Sequence, residues 1–277
     1  MKYHIEQSIS LEFYTEGPCT GPSGERYVTS LSGQQLLQVF PDGHVSVWAK
    51  GDCPNGQVIL PNGEHWVCES KIGCIAAYSA DGTFLSYIVD KQCGGVPVHT
   101  PNDLLMDSKG NLYFTDSLHD IGKVFYRSST GVEKCLAKDI HYANGIALNT
   151  TETLLYVAES FANQIRVYSL PEPGIVSDDY RLIHLPTHSG GDPINNLPDG
   201  LAVDAEDRLW VAHYGMQAVQ VVDTRGQVIA SLDTTLPLTS NITFLTDTPS
   251  YKQVMVTGGN GEPGPGGVVV LNVYFDD

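Results

Sequence analysis

The chain has 277 residues, 42% of them hydrophobic and 17% charged, and its 15 basic residues against 32 acidic ones leave a net charge of −17. A field of that sign repels nucleic acid and anionic membrane, and no basic stretch interrupts it, which argues against both as partners. No run approaches the roughly 20 apolar residues of a membrane span, and the opening MKYHIEQSISLEFYTEG lacks the apolar core of a secretory leader, so a cytoplasmic protein is expected.

Helical periodicity is nearly absent; short β-rich runs alternate with Gly, Asp, Asn and Pro turns. The first run, YHIEQSISLEF, is a strand with no repeat unit of its own. After it one pattern recurs, in which a small polar motif opens an apolar strand, a turn follows and a second apolar strand returns. TEGPCTGPSGERYVTS from Thr15 and CPNGQVILPNGEHWVCES from Cys53 are looser copies. TPNDLLMDSKGNLYFTDS from Thr100, YANGIALNTTETLLYVAES from Tyr142, LPDGLAVDAEDRLWVAHYG from Leu197 and TSNITFLTDTPSYKQVMVTGG from Thr239 are clearer ones. A third strand and turn continue the copies, as in QLLQVFPDG, KVFYRSSTG and AVQVVDTRG, and a fourth strand usually follows, as in HVSVWA and TFLSYIV. Copies of about 45 residues with about four strands each have the spacing of propeller blades.

The sixth copy stops after its third strand, GGVVVLNVYF. The leading strand is therefore expected to supply the missing outer strand and close the ring, leaving few open sheet edges. The fold expected is all-β, a six-bladed β-propeller forming a single domain over residues 1–277, as a monomer or small homo-oligomer. The stretch GGNGEPGPGG (Gly258 to Gly267) reads only as a loop between strands. The six cysteines show neither CxxC nor metal-ligand spacing, and read as small residues in strands of a reducing compartment.

In a propeller the innermost strand of each blade lines the central channel, so its opening residues converge on one mouth. Those positions are Glu16, Asn55, Asn102, Asn144, Asp199 and Asn241. Asn and Asp are common at turns because they hydrogen-bond their own backbone, but these lie in register at the same end of the same strand, and Glu16 is a poor turn residue. PDG occurs twice, and the repeat separates the copies: Asp42 follows a third strand and reads as a turn residue, whereas Asp199 opens an inner strand. A ring of oxygen donors without thiol or imidazole suits a hard divalent cation, Ca²⁺ first, then Mg²⁺ or Mn²⁺.

The motifs EGP at Glu16, PNDL at Pro101, ANGIAL at Ala143 and PDGLAVD at Pro198, with DSKGNLYFTDS and LLYVAES between them, resemble the senescence-marker-protein/gluconolactonase family over nearly the whole chain. That resemblance implies a six-bladed propeller with one divalent cation in its channel, often Ca²⁺, with Mg²⁺, Mn²⁺ or Zn²⁺ as alternatives, and hydrolysis of an aldonolactone or a related ester. By motif it makes Glu16, Asn144 and Asp199 metal ligands, Asn102 a fourth ligand or a substrate contact, and Asp199 the general base or nucleophile. In the aldonolactonase branch an arginine commonly lies two residues before the ND asparagine. Here that position is Thr100, which leaves the particular lactone open.

Second strands return to the same mouth and would bring Ser30, Glu69, Ser117, His119, Asp120, Ser160, His213 and Tyr214 to it, and the residues before the inner strands would add His99, Thr100, His141 and Tyr142. Of these, Thr100, His119, Asp120, His141, His213 and Tyr214 are the expected substrate contacts, with His141 and His213 as candidate proton shuttles. The expected activity is the metal-dependent opening of a small, sugar-derived lactone. Phosphotriester hydrolysis at the same cation, or a binding platform with structural Ca²⁺, are the alternatives; a platform would need recurrent exposed aromatic or charged positions on one face, and the repeat has none.

Overall fold

A computed structural model describes residues 1–188 and 195–275. Strand β1 (Lys2–Leu11) precedes the first blade, β2 (Glu16–Thr20), β3 (Arg26–Ser30), β4 (Gln35–Val39) and β5 (Val45–Lys50). The second blade is β6 (Pro54–Ile59), β7 (His65–Glu69), β8 (Cys74–Tyr78) and β9 (Phe84–Asp90), followed by a short hairpin, β10 (Gln92–Cys93) and β11 (Val96–Pro97). The third is β12 (Pro101–Met106), β13 (Leu112–Asp116), β14 (Gly122–Arg127) and β15 (Glu133–Ile140). The fourth is β16 (Ala143–Leu148), β17 (Leu154–Glu159), β18 (Gln164–Ser169) and β19 (Asp178–His184), with a 3₁₀ turn at Ser160–Ala162. The fifth is β20 (Leu197–Val203), β21 (Leu209–Tyr214), β22 (Ala218–Val222) and β23 (Val228–Asp233). The last has only β24 (Leu238–Asp247), β25 (Tyr251–Gly259) and β26 (Gly266–Tyr274) from its own copy.

That sixth sheet is ordered β1-β26-β25-β24. Strand β1 pairs antiparallel with β26, from Lys2 opposite Tyr274 to Leu11 opposite Gly266. The leading strand thus closes the ring as the incomplete last repeat requires. The fold is an all-β, six-bladed propeller.

The apolar core is divided into wedges between neighbouring blades. Leu36 and Ala49 meet Val67, Ala76 and Tyr78; Ile75 and Val89 meet Leu104 and Phe114; Tyr113 and Val124 meet Ile146 and Leu155. The ring continues with Ile165 and Val167 against Leu201 and Val211, Trp210 and Val219 against Val254 and Val269, and Met255 and Val268 against Val28 and Leu37. Because blades cover both faces of one another, middle strands such as CIAAY, LYFTD and AVQVV are buried throughout, and apolar runs replace the alternation of a half-buried sheet. Outer strands such as FLSYIVD are mostly exposed.

The outward hairpins follow local turn chemistry. Asp42 accepts the His44 N–H at 2.9 Å, and Gly43 adopts φ 89°, where a side chain would be disfavoured. At the channel end, the pairing of first with second strand slips in every blade, between Glu16 and Cys19, Pro54 and Gln57, Pro101 and Leu104, Ala143 and Ile146, Pro198 and Leu201, and Thr239 and Asn241. A bulge of this kind bends the strand and re-aims its side chains. It falls on the opening motif of each copy.

Candidate active site

Hydroxyl groups of one blade hold the opening carbonyls of the next. Thr29 Oγ1 donates to Asn55 O at 2.7 Å, Ser70 Oγ to Pro101 O at 2.6 Å, Thr115 Oγ1 to Asn144 O at 2.7 Å and Ser160 Oγ to Pro198 O at 2.6 Å. Ser240 Oγ closes the circle on Thr15 O at 2.8 Å. With the carbonyls fixed in this way, the opening side chains are left to face the axis. There is little space to spare: a Cβ on Gly145 would lie 2.1 Å from Asp199 O, and one on Gly56 2.7 Å from Asn102 O.

The resulting mouth is a cavity of about 250 Å³. Glu16, Asn55, Asn102, Asn144 and Asp199 form its polar floor; Tyr14, Leu31, Tyr142, Phe161, Leu197 and Tyr214 form its walls, with Ser160 and Glu262 completing it. Glu16 and Asp199 are each 6% exposed. Burial holds both carboxyls well above the ordinary range. For Glu16 the neighbouring Asp103 and Glu262 add to the effect, and for Asp199 so do Glu16, Asp103 and Glu262. The Tyr14 hydroxyl, 3.4 Å from Glu16 Oε1, and the Asn144 amide beside Asp199 oppose it only in part. Deeper in the channel, burial pushes Asp103 up to about 6, against hydrogen bonds from Leu104 N at 3.0 Å and Asn241 Nδ2 at 3.4 Å.

This donor set fits a divalent cation. Asn144 Nδ2 is committed to Ser160 Oγ at 3.2 Å, while the buried carbonyl oxygens Asn144 Oδ1 and Asn55 Oδ1 have no hydrogen-bond donor. A buried acceptor without a partner carries a desolvation cost. Two such oxygens beside two mutually repelling carboxylates are satisfied together by a hard cation, which takes carboxylate and amide oxygens alike.

The other expected residues are distributed differently. Tyr214 lines the wall. Its hydroxyl donates to Glu262 Oε1 at 3.0 Å and its ring meets Tyr14 edge-on at 6.3 Å. His119, Asp120 and His141 form an exposed cluster on the rim, with His119 Nδ1 2.8 Å and His141 Nδ1 2.7 Å from the two carboxylate oxygens of Asp120. Their link to the cavity is Phe161, whose ring centre lies 4.8 Å from His119 and 4.9 Å from Tyr142. Thr100 is not among the residues that line the cavity; its N–H donates to Asp116 Oδ1 at 2.6 Å and its carbonyl accepts from Ser117 N at 2.9 Å. His213 is fully buried, with Nε2 3.1 Å from Asn163 Oδ1, and burial pushes its pKa down to about 4. Asn241 faces Asp103 and belongs to the deeper channel.

Five lining residues were not anticipated, Tyr14, Leu31, Phe161, Leu197 and Glu262, and of these Tyr14 and Glu262 bring polar groups. Tyr14 lies two residues before Glu16, on the same side of an extended segment, and its aromatic character next to the EGP motif is the clue the sequence offers. Glu262 comes from GGNGEPGPGG, where an isolated acidic residue among glycines and prolines, at the channel end of the last blade, is the corresponding clue.

The SMP-30/gluconolactonase/LRE-like model matches residues 14–260 of this chain. A lactonase, drp35 of Staphylococcus aureus (strain USA300), is 30% identical over 211 residues, covering 74% of this chain and 58% of the relative. The chain thus spans about three fifths of the length of the curated relatives it matches. The structure of a Xanthomonas campestris protein described as a gluconolactonase superposes with a TM-score of 0.80 at 23% identity, covering 95% of this chain and 87% of the other. An Agrobacterium tumefaciens protein described as the calcium-binding protein regucalcin gives 0.78 at 18% identity, with 98% and 96% covered. Among the described residues, no helix is long and apolar enough to cross a membrane. The sequence match extends over nearly every blade and all the opening motifs: the chain belongs to the SMP-30/gluconolactonase/LRE-like family.

Proposed function

We propose that this propeller is a hydrolase that opens a small, sugar-derived lactone with the help of one divalent cation, Ca²⁺ first. The observation that carries the reading is the pair of buried, donorless carbonyl oxygens, Asn55 Oδ1 and Asn144 Oδ1, on residues that line the same small cavity as the buried carboxylates Glu16 and Asp199. Glu16, Asn144 and Asp199 would hold the cation, with Asn102 as a fourth ligand or a substrate contact and Asn55 as a further oxygen. When bound, the ion supplies Lewis acidity toward the lactone carbonyl.

The chain's own groups supply positioning and proton transfer. Tyr14, Tyr142, Phe161 and Tyr214 enclose the ring of the substrate and limit access of bulk water. Asp199 takes the proton of the attacking water. That role requires one of its carboxylate oxygens to stay free of the cation, whose charge favours the ionised form. The cluster of His119, Asp120 and His141 on the rim, whose ring nitrogens lie within hydrogen-bond distance of the shared carboxylate, can pass that proton outward to solvent.

The test is proton release from a panel of lactones at constant pH, with chelator and with Ca²⁺, Mg²⁺, Mn²⁺ or Zn²⁺ restored. Turnover should need the cation and should fall by at least about 100-fold in Asp199→Ala, on the scale of losing a general base, while Asp42→Ala in the other PDG stays at the wild-type rate. Absence of lactone turnover with every cation would refute the reading; turnover of phosphotriesters alone would replace it with organophosphate hydrolysis.

A further inference from the structure

Every charged side chain that lines the mouth among the described residues is acidic: Glu16, Asp199 and Glu262. The first two belong to the floor. Glu262 does not; it projects from the loop between β25 and β26 and reaches the wall from above. Its position is built into the fold. The carbonyl of the next residue, Pro263, accepts the Tyr14 N–H at 2.8 Å, and Asn260 N closes the loop on Pro265 O at 2.8 Å. A Cβ on Gly264 would lie 2.2 Å from Glu12 O, so the loop rests directly on the segment that carries Tyr14. The Glu262 carboxylate is then aimed by the Tyr214 hydroxyl, 3.0 Å from Oε1.

We propose that Glu262, aimed by Tyr214, is a specificity-determining residue that restricts the site to uncharged lactones and excludes anionic ones, phosphorylated or carboxylated. The inference rests on the lactonase reading and narrows its substrate class. Three carboxylates outnumber the two positive charges of a divalent ion, so the mouth stays negative with the cation in place. No lysine, arginine or histidine lines the cavity among the described residues to offset Glu262. Glu262 is exposed to solvent at the opening, where an incoming anion meets its charge first, and a like charge set against a partner is the usual means of rejecting a wrong one. An uncharged polyol ring meets the opposite situation: Glu262 Oε2 can accept one of its hydroxyls, while Tyr14, Tyr142 and Phe161 cover its apolar face.

The experiment compares kcat/KM for glucono-1,5-lactone and for its 6-phosphate in wild type, Glu262→Gln, Glu262→Lys and Tyr214→Phe, with folding checked by circular dichroism and melting temperature. Wild type should prefer the uncharged lactone. Glu262→Gln should raise the phosphate-to-neutral ratio by about fivefold and Glu262→Lys by roughly another fivefold, as expected for removing and then reversing a solvent-exposed charge a few ångströms away. Tyr214→Phe, which frees the carboxylate, should raise it by less than Glu262→Gln. A ratio that is the same in wild type and both Glu262 variants overturns the inference, as does a wild type that turns over both lactones equally. If wild type opens neither, the hydrolase reading fails, and binding of sorbitol against sorbitol 6-phosphate decides the charge filter separately. Glu262→Gln must then tighten only the phosphate, and equal effects on both ligands sink it.

Discussion

Apo and cation-loaded protein should differ in stability by an amount that can be worked out in advance. Glu16 and Asp199 are buried together with Asp103 nearby, and burial and mutual repulsion hold the carboxyls above their ordinary range. A carboxyl whose folded pKa is raised stabilises the fold when protonated, and that stability is lost as pH rises through the folded value. Without cation, the melting temperature should therefore decline as pH rises from the ordinary carboxylate range through these raised folded values, about 6 for Asp103, because the native state is forced to carry unpaired negative charge. A cation bound at 100 times its dissociation constant adds about 2.7 kcal/mol. For 277 residues the unfolding entropy is about 0.6 kcal/mol/K, so the midpoint should rise by about 5 °C. The assay is a thermal melt at pH 7.5 in chelator and in excess Ca²⁺, repeated for Asp199→Asn and Asp42→Asn. Asp199→Asn should melt higher than wild type in chelator and gain less than about 1 °C from Ca²⁺, whereas Asp42→Asn, altered only in an exposed turn, should behave as wild type. If none of the four cations moves the wild-type midpoint by more than about 1 °C, the donor ring is not a cation site and the reasoning from its orphaned oxygens is wrong.

Two further outcomes follow from groups around the ring. Glu69 is pushed up to about 7 by burial, although the Tyr78 hydroxyl at 2.7 Å and Asp52 N at 2.6 Å oppose the shift. It should therefore contribute a loss of stability as pH rises from 5 to 8, of up to roughly 3 kcal/mol. Glu69→Gln, which keeps an acceptor for Asp52 N, should flatten that part of the melting profile, and an unchanged slope would show that Glu69 titrates normally. Ser160→Ala removes the hydroxyl that donates to Pro198 O and accepts from Asn144 Nδ2. Chemical denaturation should show a loss of about 1–3 kcal/mol from the unpaired carbonyl and amide. Because Asn144 loses its partner, Ca²⁺ affinity by calorimetry should fall as well; an undiminished affinity would mean that Asn144 is held by other contacts.

The blade count, the ring closure by YHIEQSISLEF and the convergence of Glu16, Asn55, Asn102, Asn144 and Asp199 were legible in the residues. These features repeat in register, and a repeat converts a local pattern of turns and strands into a statement about where equivalent residues meet. The same logic separated Asp199 from Asp42, whose identical tripeptides occupy different places in the blade. Tyr214 was legible for the same reason, as the last residue of a second strand.

What the repeat does not encode, the tertiary structure decided. Rim residues lie in connections that obey no strand periodicity, so His119, Asp120 and His141 pair with one another in solvent and Thr100 has its backbone drawn to Asp116. His213 occupies the last paired position of a buried second strand, and packing between blades outweighs its titratable chemistry. Glu262 and Tyr14 come from segments that are 248 residues apart in sequence, by 262 − 14, and are brought together only because the first strand of the chain completes the last blade and seats the loop before β26 on the segment leading into β2. The sequence by itself determined which residues form the floor, because equivalent positions must meet on a closed ring; only the tertiary structure decided that Tyr14 and Glu262 stand above it, because that part of the wall is made where the two ends of the chain join.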